Sequence, residues 1–405
     1  MNRKSAILFV LLTVVIDAMG IGLIMPVMPD LIRELLGKTL AEAAVWGGVL
    51  TASFAIMQFL FSPAIGNMSD RYGRKPVLLI SLFIVGIDYV IMGFTGSIWV
   101  LLIGRIVAGI ASATQSTASA FIADISDPKE KAQNFGLIGA AFGVGFVLGP
   151  MLGGLLSEFG SRAPFFAAAF LAFANFAFGA IVLSETVTDK IRRALDWARM
   201  NPFRALKNVG SLPGGRALLL IFFIHQLAFY CYPSVWAFYT IEKFDWTPFD
   251  VGLSLGAFGI TLFIVQGFLI RVIIPRIGEW NALGIGLTVS IIADFLIAFI
   301  WQGWMVYAVI GIMSLSFLAT PSLQGIISKS TPDDAQGELQ GVLTSVGAVS
   351  TIIGPLLMTG IFGYFASKHA PIYFPGAPFA LAGVLDILSI LILLGIWRRS
   401  RKSQA

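Results

Sequence analysis

The chain has 405 residues, 57% of them hydrophobic and only 12% charged, where a soluble domain carries roughly 25% charged residues. A mean hydropathy of +0.87 excludes a single water-soluble core, because so much apolar surface has no interior to enter and must face lipid. The surplus of 27 Lys and Arg over 22 Asp and Glu is spread between apolar runs, which argues against a nucleic-acid patch, and the one cysteine, Cys231, excludes an internal disulfide.

The first apolar run, 5–28, follows Arg3 and Lys4. It is too long for the apolar part of a signal peptide and is followed by more of its kind, so it reads as a membrane span. A hydrocarbon core about 30 Å thick takes about 20 residues of helix. On that measure spans 2 to 12 are predicted at 45–66, 77–95, 98–123, 133–157, 163–183, 216–240, 249–272, 281–300, 303–325, 336–362 and 375–397. With the N-terminus placed inside and the sides alternating, 21 of the 27 Lys and Arg fall inside, 5 fall outside, and Arg105 lies within span 4. That bias places both termini in the cytoplasm. The polar stretch 184–215 contains Pro202 and Pro213 and a basic segment at 190–207. It reads as a cytoplasmic linker between two six-helix halves, 1–183 and 216–405, and its basic segment suits a helix on the membrane surface. The halves repeat: an offset of 205 residues carries Gly149-Pro150 onto Gly354-Pro355, Gly136 onto Gly341, Arg71 onto Arg276 and Gly73 onto Gly278. The expected fold is therefore all-α and integral to the membrane, with twelve transmembrane helices in two pseudo-symmetric six-helix halves.

Between spans 2 and 3 the chain reads Gly66-x-x-x-Asp70-Arg71-x-Gly73-Arg74-Lys75. Glycine permits a tight turn, and Asp70 can accept hydrogen bonds from helix-end N–H groups or pair with an arginine, as a latch that holds one conformation. The basic residues also serve as plain cytoplasmic anchors. In span 5, Gly145, Gly149 and Gly153 recur every four residues beside Gly136, Pro150 and Gly154. Small residues at this spacing admit a neighbouring helix closely, and Pro150 permits a bend, so the stretch reads as a hinge or as a packing seam. Arg105 in mid-membrane costs roughly 2.5–3.5 kcal/mol on insertion scales, so it reads either as half of a buried ion pair holding helices together or as a proton-coupling residue that tunes a proton-carrying carboxylate nearby. Asp17, Asp88, Asp294 and Asp386 fall within spans 1, 3, 9 and 12. Desolvation favours a protonated carboxyl and a nearby arginine favours an ionised one, so such acids suit either proton loading and release or a helix–helix contact. His225 in span 7 has the same two readings. Gln58, Gln115, Gln226 and Gln324, with Trp236 and Phe238, supply polar points on apolar walls, which fits an amphipathic, ring-containing molecule. The sequence shows no nucleophile–base pair, no Walker A loop and no metal-ligand cluster, and its two histidines, 225 and 369, are far apart. Neither an enzyme nor a cofactor is expected, and transport energy must come from an ion gradient.

The loop motif resembles that of the major facilitator superfamily between helices 2 and 3, and span 5 resembles the motif of the family's drug-exporting antiporters. Several stretches resemble the bacterial tetracycline/proton antiporters in particular: residues 17–26 in span 1, Ile87-Asp88-Tyr89 in span 3, Ile292-Ala293-Asp294 in span 9, 321–325 in span 10 and 336–341 in span 11. The resemblance covers nearly the whole chain apart from the linker and the C-terminal tail. It implies exchange of a cationic chelate of tetracycline with a divalent metal such as magnesium for a proton across a bacterial inner membrane. It also implies that Asp17, Asp88 and Asp294 are the intramembrane acids needed for transport, that Gln58 and Gln266 line the pathway, and that Asp70 and Arg74 form the gate. One departure is Leu262, which occupies the place of the family's histidine four residues before Gln266; Asp386 lies outside the family pattern. The same fold exporting another amphipathic drug or metabolite is the alternative, and a nutrient symporter is opposed by the span-5 motif.

Overall fold

The apolar runs become helices because the bilayer core has no water to satisfy backbone N–H and C=O groups, and a helix satisfies them internally. The computed structural model describes residues 3–112, 114–126, 130–187, 195, 200–203, 216–332 and 336–402. Among the described residues, twelve helices are long and apolar enough to cross a membrane. In chain order, spans 1 to 6 are Ala6–Ile24, Leu40–Tyr72, Arg74–Phe94, Ile98–Ile125, Asn134–Ser157 and Ala163–Val182. Spans 7 to 12 are Arg216–Phe244, Pro248–Ile277, Glu279–Phe299, Met305–Lys329, Leu339–Phe365 and Ala377–Ile396. The surface helix expected at 190–207 lies outside the described residues, apart from 195 and 200–203.

Two boundaries differ from expectation in ways that matter for the site. Span 1 stops at Ile24, and a short helix, Met28–Leu36, starts after a turn with a proline in its first positions. Span 2 runs on to Tyr72, so Gly66, Asp70 and Arg71 are helical, and the tight turn that the motif's glycines permit falls at Gly73. Gly73 has φ 115° and Gly278 φ 79°, a region that favours glycine. Each is the residue before the first turn of its span, 3 or 9, so the sequence repeat reappears as one backbone conformation. Spans 2 and 8 open alike. Thr39 and Glu42 exchange side chain–backbone hydrogen bonds, as do Thr247 and Asp250, reciprocally satisfying N–H groups that a helix start leaves open.

The chain divides into two compact units. The first comprises residues 1–38, 53–202 and 247–259 and has a core of Phe9, Val10, Val14, Leu78, Leu82, Phe121 and Ile122. Thr13 on span 1 donates to Asn175 on span 6 within it, at 3.1 Å; interhelical hydrogen bonds of this kind contribute about 0.6 kcal/mol on average in membranes. The span-5 glycines form a seam with span 1. A Cβ on Gly145, Gly149 or Gly153 would run into the carbonyl oxygen of Val15, Met19 or Leu23 respectively, so both helices present the same four-residue ridge. Gly154 faces the start of span 8, where a Cβ would stand 2.8 Å from the Pro248 carbonyl oxygen, while Gly136 and Gly66 have nothing within 4 Å. The second unit comprises 39–52, 203–246 and 260–405. Its core gathers Leu219, Phe222, Leu283, Leu287, Leu323 and Val342. Pro150 and Pro355 lie inside spans 5 and 11.

Candidate functional site

Most of the polar and charged side chains singled out above fall into three clusters, two in the first unit and one in the second. At the end of span 2, Asp70 pairs with Arg74 at 2.5 Å. Arg74 also pairs with Asp124 at 3.1 Å and donates to Ser69 Oγ at 2.8 Å. Glu185 accepts from the backbone N–H groups of Arg74 and Lys75 at 2.8 and 3.1 Å. A carboxylate here satisfies donors that the first turn of span 3 leaves open and meets the positive end of its dipole. A Cβ at position 73 would collide with this carboxylate, a second reason for glycine there. Lys75 donates to the Ala180 carbonyl at 2.9 Å, whereas the Arg71 side chain is exposed. Asp124 and Glu185 escaped the sequence reading. Asp124 near the C-terminal end of a helix, where an anion is disfavoured, was the signal for one of them.

The second cluster is buried within the span 3–span 4 contact. Asp88 is 2% exposed and forms an ion pair with Arg105, whose guanidinium lies over the Phe54 ring, 5.3 Å from its centroid. Gly104 makes room for this pair, since a Cβ there would lie 2.5 Å from Asp88 Oδ1. Asp17 on span 1 is half-buried, one turn before Gly20, where a Cβ would stand 3.2 Å from the Tyr89 hydroxyl of span 3. Gln58 donates to Ser112 Oγ at 2.9 Å, and the Gln115 side chain lies outside the described residues.

The third cluster lines a cavity of about 200 Å³ in the second unit. Its polar wall comprises His225, Gln226 and Tyr232 from span 7, Gln266 from span 8, Ser290 and Asp294 from span 9, and Ser316 and Thr320 from span 10. The Tyr232 hydroxyl donates to Asp294 Oδ1 at 2.6 Å, and His225 Nδ1 lies 2.8 Å from Asp386 Oδ1. Gln266 belongs to a π-helical segment, Val265–Leu269, a local irregularity that often accompanies functional positions. Leu262 is on the same wall, so the position that departs from the family pattern faces this cavity. Trp236 does not line it. Its ring packs against Tyr232 and Phe379 in the interior, Phe238 packs against Phe362, and Gln324 is exposed at the far end of span 10. Among the described residues, no three His, Cys, Asp or Glu side chains come together as a metal-ligand set.

Twelve spanning helices, a repeated architecture and polar and acidic side chains around an intramembrane cavity define a polytopic membrane transporter. The sequence matches the family described as the Major Facilitator Superfamily over residues 10–355 and again over 218–405. It is 39% identical over 405 residues to the class C tetracycline resistance protein of Escherichia coli, covering 100% of this chain and 99% of that one. It is also 39% identical over 397 residues to the class G tetracycline resistance protein of Vibrio anguillarum, covering 98% of each. The crystal structure of the human organic anion transporter MFSD10 shares the fold, with a TM-score of 0.70 at 24% identity and coverage of 97% of this chain and 100% of that one. The chain belongs to the Major Facilitator Superfamily, in the branch of the tetracycline resistance proteins.

Proposed function

We propose that this protein exports tetracycline, as a cationic magnesium chelate, from the cytoplasm across a bacterial inner membrane in exchange for protons. The single observation that carries the reading is Asp294, an acid 1% exposed that lines an intramembrane cavity beside Tyr232, Gln226 and Gln266. An ionisable group retained at this depth is costly and is a functional site by default. Full-length similarity to tetracycline resistance proteins supplies the cargo. The cavity is smaller than the roughly 300–1,000 Å³ of drug-sized sites, so it takes the charged edge of the cargo and a proton.

In this reading the halves 1–183 and 216–405 move as bodies joined by the 184–215 linker, with both termini in the cytoplasm. Asp294 and Asp17 handle protons. Asp88 and Arg105 hold spans 3 and 4 together around the first of these halves. Gln226 and Gln266 contact cargo directly, and Gln58 and Gln115 border its path. Asp70, Arg74, Asp124 and Glu185 form the cytoplasmic latch, with Gly66, Arg71 and Gly73 on its backbone, and the span-5 glycines form the seal. The test uses inverted membrane vesicles whose lumen is acidified by respiration. Adding tetracycline with magnesium is expected to dissipate part of the pH gradient, because drug entering the lumen drives protons out. No response to tetracycline, with a response to another amphipathic drug, transfers the cargo assignment to that drug.

A further inference from the structure

We infer that His225 and Asp386 are a second proton-handling pair of this carrier, acting with Asp294 at the same cavity. This rests on the exporter reading above and assigns a task to two residues that reading leaves unused.

The pair joins span 7 to span 12 across 161 residues of sequence, with His225 Nδ1 held 2.8 Å from Asp386 Oδ1. Asp386 is 0% exposed and His225 6%. Replacing a buried ionisable pair by apolar side chains of similar volume is often neutral or stabilising, and ionisable residues kept within membrane spans mark proton relays. Nor is the pair closed on itself: Asp386 Oδ2 is buried with no hydrogen-bond partner among the described residues, and Ser389 Oγ, one turn further along span 12, is the same. His225 also borders the cavity, sharing its wall with Asp294.

The other titratable side chains of span 7 here are Tyr232, whose hydroxyl donates to Asp294 Oδ1, and the buried Cys231. Neither carries a positive charge, so a proton on His225 is the internal source of positive charge for the two acids. Imidazole with carboxylate bears one negative charge. Adding one proton, with Nδ1 engaged by Asp386 and Nε2 as the other ring nitrogen, makes the pair neutral. A cation in the cavity favours the first state and a proton creates the second, so each expels the other, which is the exchange the carrier performs. Leu262, on the same wall, leaves span 8 without a titratable group at that position.

The test is the number of protons released per tetracycline taken up, with magnesium present, in inverted vesicles containing the full-length chain. His225→Gln retains an amide donor for Asp386 but does not titrate; Asp386→Asn removes the acid. In both, the ratio is expected to fall by about half, because one of two proton-handling sites at the cavity is lost while Asp294 remains. A wild-type ratio in either variant overturns the pair's role, even where both rates fall together, because a purely structural contact lowers the rates and leaves the ratio alone. Absence of both variants from the membrane assigns the pair to folding and overturns it as well. Wild-type vesicles that release no protons with drug defeat the exporter reading itself, a result separate from any variant.

Discussion

Asp294→Asn is expected to reach the membrane in near wild-type amounts and to lose drug-linked proton movement by about 100-fold, a usual cost for removing an essential proton-transfer group. The substitution is almost isosteric. The Tyr232 hydroxyl donates to Asp294 Oδ1 at 2.6 Å, and the asparagine carbonyl can accept the same hydrogen bond, so the contact between spans 7 and 9 survives. What disappears is a group able to be ionised with cargo present and neutral without it. Drug-dependent quenching of a pH-sensitive dye in inverted vesicles reads the effect, with the amount of protein in the membrane measured alongside. A variant that still moves protons with drug at the wild-type rate removes Asp294 from the proton path.

Asp88→Asn is expected to fail differently. Asp88 is the ion-pair partner of Arg105, and removing one member of a buried pair costs about 3–5 kcal/mol because the other charge is left uncompensated. The single variant should therefore lose folded protein from the membrane, or lose much of its thermal stability once purified. The double variant Asp88→Asn with Arg105→Gln removes both charges and should regain most of that loss, since neutral replacement of a buried pair is often harmless. Melting temperatures of the purified wild type, single and double variants decide the matter. A stable Asp88→Asn protein that cannot exchange protons moves Asp88 from the structural contact into the proton path.

The two acids contrast in how much of their roles was legible beforehand. Both were visible as acids inside apolar runs. Which of them faces a cavity was not, because a membrane helix is apolar toward lipid and toward its neighbours alike, so the pattern of apolar residues does not indicate which face points inward. The same blindness placed Trp236 among pathway residues although it packs in the interior, and Gln324 beside them although it is exposed. Span positions were legible because length and hydropathy suffice for them, and the repeat was legible because Gly73 and Gly278 carry a backbone demand that few other residues meet. The extension of span 2 to Tyr72 was hidden behind a polar, charged motif that looks like a loop and is a helix end. Glu185 and Asp124 join Arg74 from 111 and 50 residues away, and no local pattern announces such partners. The span-5 glycines were read as a seam or a hinge, and the four-residue match with the Val15, Met19 and Leu23 carbonyls gives the seam its partner.

The account depends on cargo and proton sharing one set of intramembrane charges, so that neither moves alone. The most direct measurement uses the purified chain in liposomes with no ion gradient imposed and a pH-sensitive dye in the lumen. When tetracycline and magnesium are added outside, drug entry through the carrier should raise the lumen pH beyond the change seen in liposomes without protein, as protons leave in exchange. Carrier-dependent drug entry with a lumen pH that does not move would contradict it.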